Sequence, residues 1–249
     1  MALKIAAFVE AALTIAWLAT AGVAHAQNTS VPSTSAESVV GRPYTVAELE
    51  AGIIALPNAP ISRQQRGGDT PFGTIGKGDA TVVGGIHLLY RASPLFAFGA
   101  GFLVAPLPTS DTQYGGQTGL KRSHARSYLL VNAELRYIPF RTKTLEGWFG
   151  LTVGGVVVAD RFSTDTGEKV PAILGVPDVT VRTEGFTAGI QIGGSWVFAD
   201  RWVLGMIART DLWFLPDSPQ CSAIGDCGTL RGTVESIQFG LTIGYRIPL

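Results

Sequence analysis

Glu48, Glu50, His87, Arg126, Glu134, Arg136, Arg209, Asp211 and Arg246 each fall on the polar side of a two-residue alternation. Side chains in a strand point to opposite faces in turn, so these residues would gather in one interior with both signs mixed. Charges withdrawn from bulk water persist when they are paired or solvated. The chemistry they suggest is a salt-bridged network or, if water threads it, a polar path for ions or small solutes. Catalysis would need a nucleophile within hydrogen-bond reach of a base. The chain has three His. His25 lies in an amino-terminal segment read below as removed. His124 has Ser123 and Ser127 near it, but at odd offsets that place them on the opposite face. His87 faces inward with no Ser that the sequence can place opposite it. No catalytic residue and no enzymatic activity are therefore expected.

Other potential ligand sets are thin. Cys221 and Cys227 stand six apart, and in an exported chain such a pair reads as a loop-closing disulfide rather than a metal site. Asp160, Asp165, Glu168 and Asp178 lack the regular spacing of a calcium loop. Gly76 to Asp79, GKGD, lacks the remainder of a phosphate loop. Neither a metal nor a cofactor is expected.

The elements that must position these residues are strands. From Asp79 to Val104 the sequence DATVVGGIHLLYRASPLFAFGAGFLV sets Val82, Ile86, Leu88 and Tyr90 on one face and Thr81, Val83, His87 and Arg91 on the other. After a four-residue turn, Phe96, Phe98, Phe102 and Val104 continue the apolar face. That is a hairpin with an oily outside and an inside of small and polar residues. A soluble barrel needs the reverse; lipid outside and a polar lumen suit a transmembrane β-barrel. The same period of two recurs over Tyr44 to Pro57, His124 to Ile138, Leu145 to Asp160, Arg182 to Phe198, Arg201 to Phe214 and Thr233 to Ile247, making eight segments in all. Long connections (58–78, 106–123, 162–181, 215–232) alternate with short ones (91–94, 139–144, 199–200). That order fits four outer loops and three periplasmic turns. Aromatic residues cluster at both ends: Tyr90, Phe96, Tyr137, Phe140, Trp148, Phe198, Trp202 and Tyr245 near the short turns, and Phe102, Phe162, Phe186, Trp213 and Phe214 near the long loops. Two interfacial girdles are expected from this placement.

Residues 1–26 combine Lys4, an apolar run from Ala11 to Val23 and Ala24-His25-Ala26, the pattern of a cleaved signal peptide. Residues 27–43 are rich in Ser, Thr and Pro and read as a flexible leader; the barrel would occupy 44–249. Beyond the signal peptide no apolar run is long enough for a spanning helix. The 31 Gly, 15% charged and 46% hydrophobic residues suit thin strands around a crowded lumen, and a formal net charge of zero argues against nucleic acid as a partner.

With its signal peptide, its strand and loop order and a last strand reading FGLTIGYRIPL, the chain from Tyr44 to Leu249 resembles the small eight-stranded outer-membrane barrels of the OmpA, OmpX and OmpW kind. The resemblance implies an all-β, antiparallel, up-and-down barrel in the outer membrane of a Gram-negative-type envelope. It also implies outer-membrane lipid and lipopolysaccharide as surroundings, with an extracellular ligand or protein meeting the long loops. Such barrels usually end on an aromatic residue read by the assembly machinery; here the end is Tyr245-Arg246-Ile247-Pro248-Leu249, an atypical insertion signal. No periplasmic domain is expected to follow the barrel. An eight-stranded interior is just wide enough for its own side chains, so the expected role is structural or surface-interacting, with the lumen plugged by the charged network. The alternatives are a narrow pore for ions or small solutes and a soluble lipocalin-like carrier, which would invert the two faces.

Overall fold

A computed structural model of the chain describes residues 43–57, 79–107, 109–114, 121–164, 178–199, 201–223, 225–228 and 230–248. The expected signal peptide and almost all of the leader, with loop residues 58–78, 115–120 and 165–177, lie outside the described residues.

Among the described residues nine strands form in chain order: β1 (Tyr44–Leu56), β2 (Asp79–Arg91), β3 (Phe96–Val104), β4 (Thr109–Tyr114), β5 (Lys121–Arg141), β6 (Leu145–Thr164), β7 (Val179–Phe198), β8 (Trp202–Phe214) and β9 (Thr233–Pro248). Every pairing is antiparallel and joins neighbours in the chain, except that β3 pairs β5 and that β1 also pairs β9, from Tyr44↔Pro248 to Ala55↔Ile237, and closes the ring. Strands β3 and β4 lie end to end along β5. Residues 105–107 follow β3 where β5 continues with residues 127 and 128, and the Ala105 amide still donates to the Tyr128 carbonyl at 2.9 Å. Nine strands thus make eight staves, the expected barrel with one irregular stave.

Two of the expected long loops are shorter than their sequence limits. The connection at 106–123 contains β4 and the start of β5, and β6 and β7 extend to Thr164 and back to Val179, inside 162–181. The β4 stretch Thr109-Ser110-Asp111-Thr112 consists of polar residues alone. The hydrophobic alternation that marks a strand is absent there, yet the backbone ladder continues, because hydrogen bonding between strands does not require lipid on either side.

The face assignment is inside-out relative to a soluble protein. Leu49, Ile86, Leu88, Leu151, Val153, Met206 and Leu241 are exposed on the outside, while His87, Arg126, Asn132, Glu134, Thr152 and Gln191 are buried within. A lipid-facing apolar belt around a polar interior is the arrangement of a transmembrane barrel. Phe96, Tyr137, Phe140 and Trp202 at the short-turn end and Phe102, Phe186 and Phe214 at the other stand on the outer surface as expected of girdles. Trp148, Phe162 and Trp213 do not: all three are buried in the lumen. Their depth along the strand is that of a girdle, but they share parity with Glu146, Asp160 and Asp211, and parity decides the face.

Candidate functional site

Strand β5 sets the layering of the lumen. Its inward residues run His124, Arg126, Tyr128, Leu130, Asn132, Glu134, Arg136, Ile138 from the long-loop end to the short-turn end, so two polar levels flank an apolar one, with a second apolar step below.

Glu134 is the hub of the middle level. Its Oε1 lies 2.6 Å from His87 Nδ1, and Arg209 donates to the same oxygen at 3.4 Å; Arg136 donates to its Oε2 at 3.2 Å. The other imidazole nitrogen, His87 Nε2, lies 2.7 Å from Glu50 Oε2. Arg136 reaches across to Glu48 at 2.9 Å, and Gln238 donates to Glu50. Gln191 accepts from Arg209 at 3.1 Å and donates to Glu134 at 3.5 Å. Asp211 accepts from the Thr152 hydroxyl at 2.7 Å. Around His87, Glu48, Glu50 and Glu134 stand against Arg136, Arg209 and the imidazole itself, with Asp211 as a fourth carboxylate held by Thr152. The His87, Glu50, Glu134 and Arg209 side chains are 0% exposed, where unpaired charge would cost several kcal/mol. Gly101 of β3 leaves the space: a Cβ there would fall on Glu134 Oε1 and 2.7 Å from His87 Nδ1.

Above this level Ile54, Leu56, Val83, Leu103, Tyr128, Leu130, Val156, Val158 and Trp213 form a buried apolar layer. Beyond it Asp160 Oδ1 accepts from Arg126 Nε at 3.1 Å and lies 2.7 Å from His124 Nε2, and the His124 ring stacks on Phe162 at 4.5 Å. Below the middle level Ala97, Ile138, Trp148 and Ile207 pack together, with the Arg136 guanidinium 4.1 Å from the Trp148 ring. At the short-turn mouth Glu146 receives Arg91 at 2.8 Å, Arg246 at 3.2 Å and Arg141 at 3.5 Å.

The structure therefore distributes the residues singled out by sequence over three levels: Arg126 at the top, Arg246 at the bottom, and the other seven in the middle. Arg91, His124, Arg141, Glu146, Thr152, Asp160, Gln191 and Gln238 were not counted among them and take part in these contacts. Strand parity was the available signal, since all but Arg141 lie at inward positions of the alternation.

Cys221 and Cys227 form a disulfide that closes a small hairpin between β8 and β9. The hairpin is tied by Ser222 N to Asp226 O at 2.7 Å and Gly228 N to Gln220 O at 2.8 Å. It leans into the barrel: Leu215 and Leu230 join the apolar layer. Gly228 packs so closely that a Cβ would meet Thr183 Oγ1 at 3.1 Å and Asp160 Oδ2 at 3.2 Å. Among the described residues no group of three or more His, Cys, Asp or Glu is placed to hold a metal ion.

No family model matches the chain, and no curated protein matches it in sequence. Among solved structures it is similar to Neisserial surface protein A, with 14% identity, 83% of this chain and 97% of that chain covered and a TM-score of 0.47. It is also similar to the outer membrane protein OprG from Pseudomonas aeruginosa, with 12% identity, 84% and 99% covered and a TM-score of 0.45. A third is Ail, the attachment invasion locus protein of Yersinia pestis, solved with the heparin analogue sucrose octasulfate, with 11% identity, 83% and 99% covered and a TM-score of 0.43.

Proposed function

We propose that this chain resides in the outer membrane as a closed barrel, embedded in outer-membrane lipid and lipopolysaccharide, with a structural or surface-interaction role rather than transport. One observation carries the reading. The described lumen is filled at successive depths, by the network around Glu134 and by an apolar layer in which Leu56, Leu103, Leu130, Val158 and Trp213 are each 0% exposed. An ion crossing it would have to break paired buried charges and then pass a dry hydrocarbon layer. The outward apolar belt supports the membrane location and opposes a soluble carrier, which would carry its apolar side chains inside. The disulfide-tied hairpin supports the surface role. It gives the long-loop end a rigid, partly exposed element, the kind of scaffolded loop on which recognition concentrates. Both imidazoles of the lumen, His87 and His124, are 0% exposed and already engaged with carboxylates, which favours a structural use over catalysis.

The test is single-channel conductance of the refolded chain in planar bilayers, after a heat-dependent gel shift has established that it is folded. Silence is the expected result. Discrete steps would overturn the closed lumen and make the chain a narrow pore. Arg209→Glu, which sets a further carboxylate against Glu134, should lower the unfolding midpoint or open a current; unchanged values of both would count against the network as a plug.

A further inference from the structure

Between the Glu134 level and the apolar layer lie polar atoms that the network does not use. Asp211 is the carboxylate set apart. Glu48, Glu50 and Glu134 each pair with Arg136, Arg209 or His87, whereas Asp211 is bonded to the Thr152 hydroxyl, at 2.7 Å. The Arg209 guanidinium, on the same face of β8, acts on Asp211 through space but is bonded to Glu134 and Gln191. Asn132 and Thr187 are each 1% exposed. Among the described residues neither the Asn132 amide oxygen and nitrogen nor the Thr187 hydroxyl has a hydrogen-bond partner.

The β6–β7 ladder brings these groups over one patch. Thr152 stands opposite Gly189, and Gly154 opposite Thr187. Both glycines yield their space to an oxygen from a neighbouring strand: a Cβ at Gly189 would fall on Asp211 Oδ1, and one at Gly154 would meet Asn132 Oδ1 at 2.5 Å. Asn132 thus leans over the patch from β5 and Asp211 from β8, while Thr152 and Thr187 rise from within it. Positions opposite or diagonal in a ladder stand roughly 5–8 Å apart, a gap that one cation with its remaining waters spans. The acceptors are oxygens throughout: one carboxylate, one amide carbonyl and two hydroxyls. Such oxygens replace part of the hydration shell of a hard cation. One carboxylate with a guanidinium close by is too little negative charge for a divalent ion, whose sites gather several carboxylates. Asn132 Nδ2 and Arg209 Nη1, also unbonded among the described residues, are donors suited to the ion's waters. We propose that Asp211, Asn132, Thr152 and Thr187 hold a monovalent metal cation of the sodium or potassium class inside the lumen, with its retained waters.

The full chain is unfolded and refolded to equilibrium in urea, in zwitterionic micelles, with sodium, potassium or choline chloride at equal concentration. Choline matches the ionic strength but is too large for the patch. A midpoint that rises in sodium or potassium over choline, and saturates with concentration, is expected. Asp211→Asn should abolish that rise. In choline it should be at least as stable as the wild type, because it removes a buried charge that has lost its counter-ion. Thr187→Val, which keeps the shape of the side chain, should weaken the apparent affinity for the cation about tenfold, and it serves if Asp211→Asn does not fold. Arg161→Gln, whose side chain is 66% exposed toward the long-loop end, should keep the full response. Coincident wild-type midpoints in all three salts, as expected if a proton neutralises Asp211 or waters alone fill the patch, would overturn the proposal. So would an equal loss of stability in every salt for whichever of the two lumen variants folds.

Discussion

His87 Nδ1 lies 2.6 Å from Glu134 Oε1, although β2 and β5 do not pair with each other. The contact passes over β3 at Gly101, which is opposite His87 in one ladder and Asn132 in the other. A missing side chain on the middle strand lets two charged residues meet across it.

Removing the hub should be expensive. Glu134→Ala takes one carboxylate partner from His87, Arg136 and Arg209 at once in a buried site and is expected to destabilise the barrel by about 3–5 kcal/mol. Glu48→Gln should cost clearly less, because Arg136 keeps Glu134 at 3.2 Å. Urea unfolding in micelles, followed by tryptophan fluorescence, ranks the two; equal midpoints would contradict the hub.

Filling the crossing point should act on the same contact from the other side. Gly101→Val places methyl groups where Glu134 and His87 now lie and should cost about 1–3 kcal/mol through overpacking. Gly84→Ala is the control: its nearest neighbour would be the Glu50 carbonyl at 3.8 Å, so a change within about 0.5 kcal/mol is expected.

The outer belt makes its own prediction. Val153 is 61% exposed on the outward face of β6, paired between Ala133 and Ala188. Val153→Arg should cost about 2–4 kcal/mol if that position lies near the bilayer midplane. Folding yields into phosphatidylcholine vesicles measure this, and a variant that inserts as well as the wild type would place the belt elsewhere.

Loss of the disulfide should be a local event. Replacing Cys221 and Cys227 by Ser together frees a short loop and should weaken the hairpin by about 2 kcal/mol. Hydrogen exchange should accelerate at the Ser222 and Gly228 amides while β5 and β6 keep their protection. Conductance should stay absent, since the network around Glu134 lies deeper in the lumen. Current on reduction alone would mean that the hairpin is the only seal.

Much of the barrel was legible in the order of residues. The face of each side chain is a local property: Leu49 and Glu50 point apart because successive residues in a strand always do. Runs of such pairs therefore announced strands, their direction and the inside-out polarity. The same rule placed Glu48, Glu50, His87, Arg126, Glu134, Arg136, Arg209, Asp211 and Arg246 inward. It would have moved Trp148, Phe162 and Trp213 inward too, had parity been weighed above depth. Strand ends beyond the belt, as in β4, carry no apolar alternation and so left no mark. The partners of each charge could not be read at all. Arg126 stands opposite Asp160 in the β5–β6 ladder, but whether His87 meets Glu134, or Arg136 meets Glu48, depends on the stagger of strands around the closed ring, and on where a glycine leaves room. Those are relations between segments far apart in the chain, and only closure of the barrel fixes them.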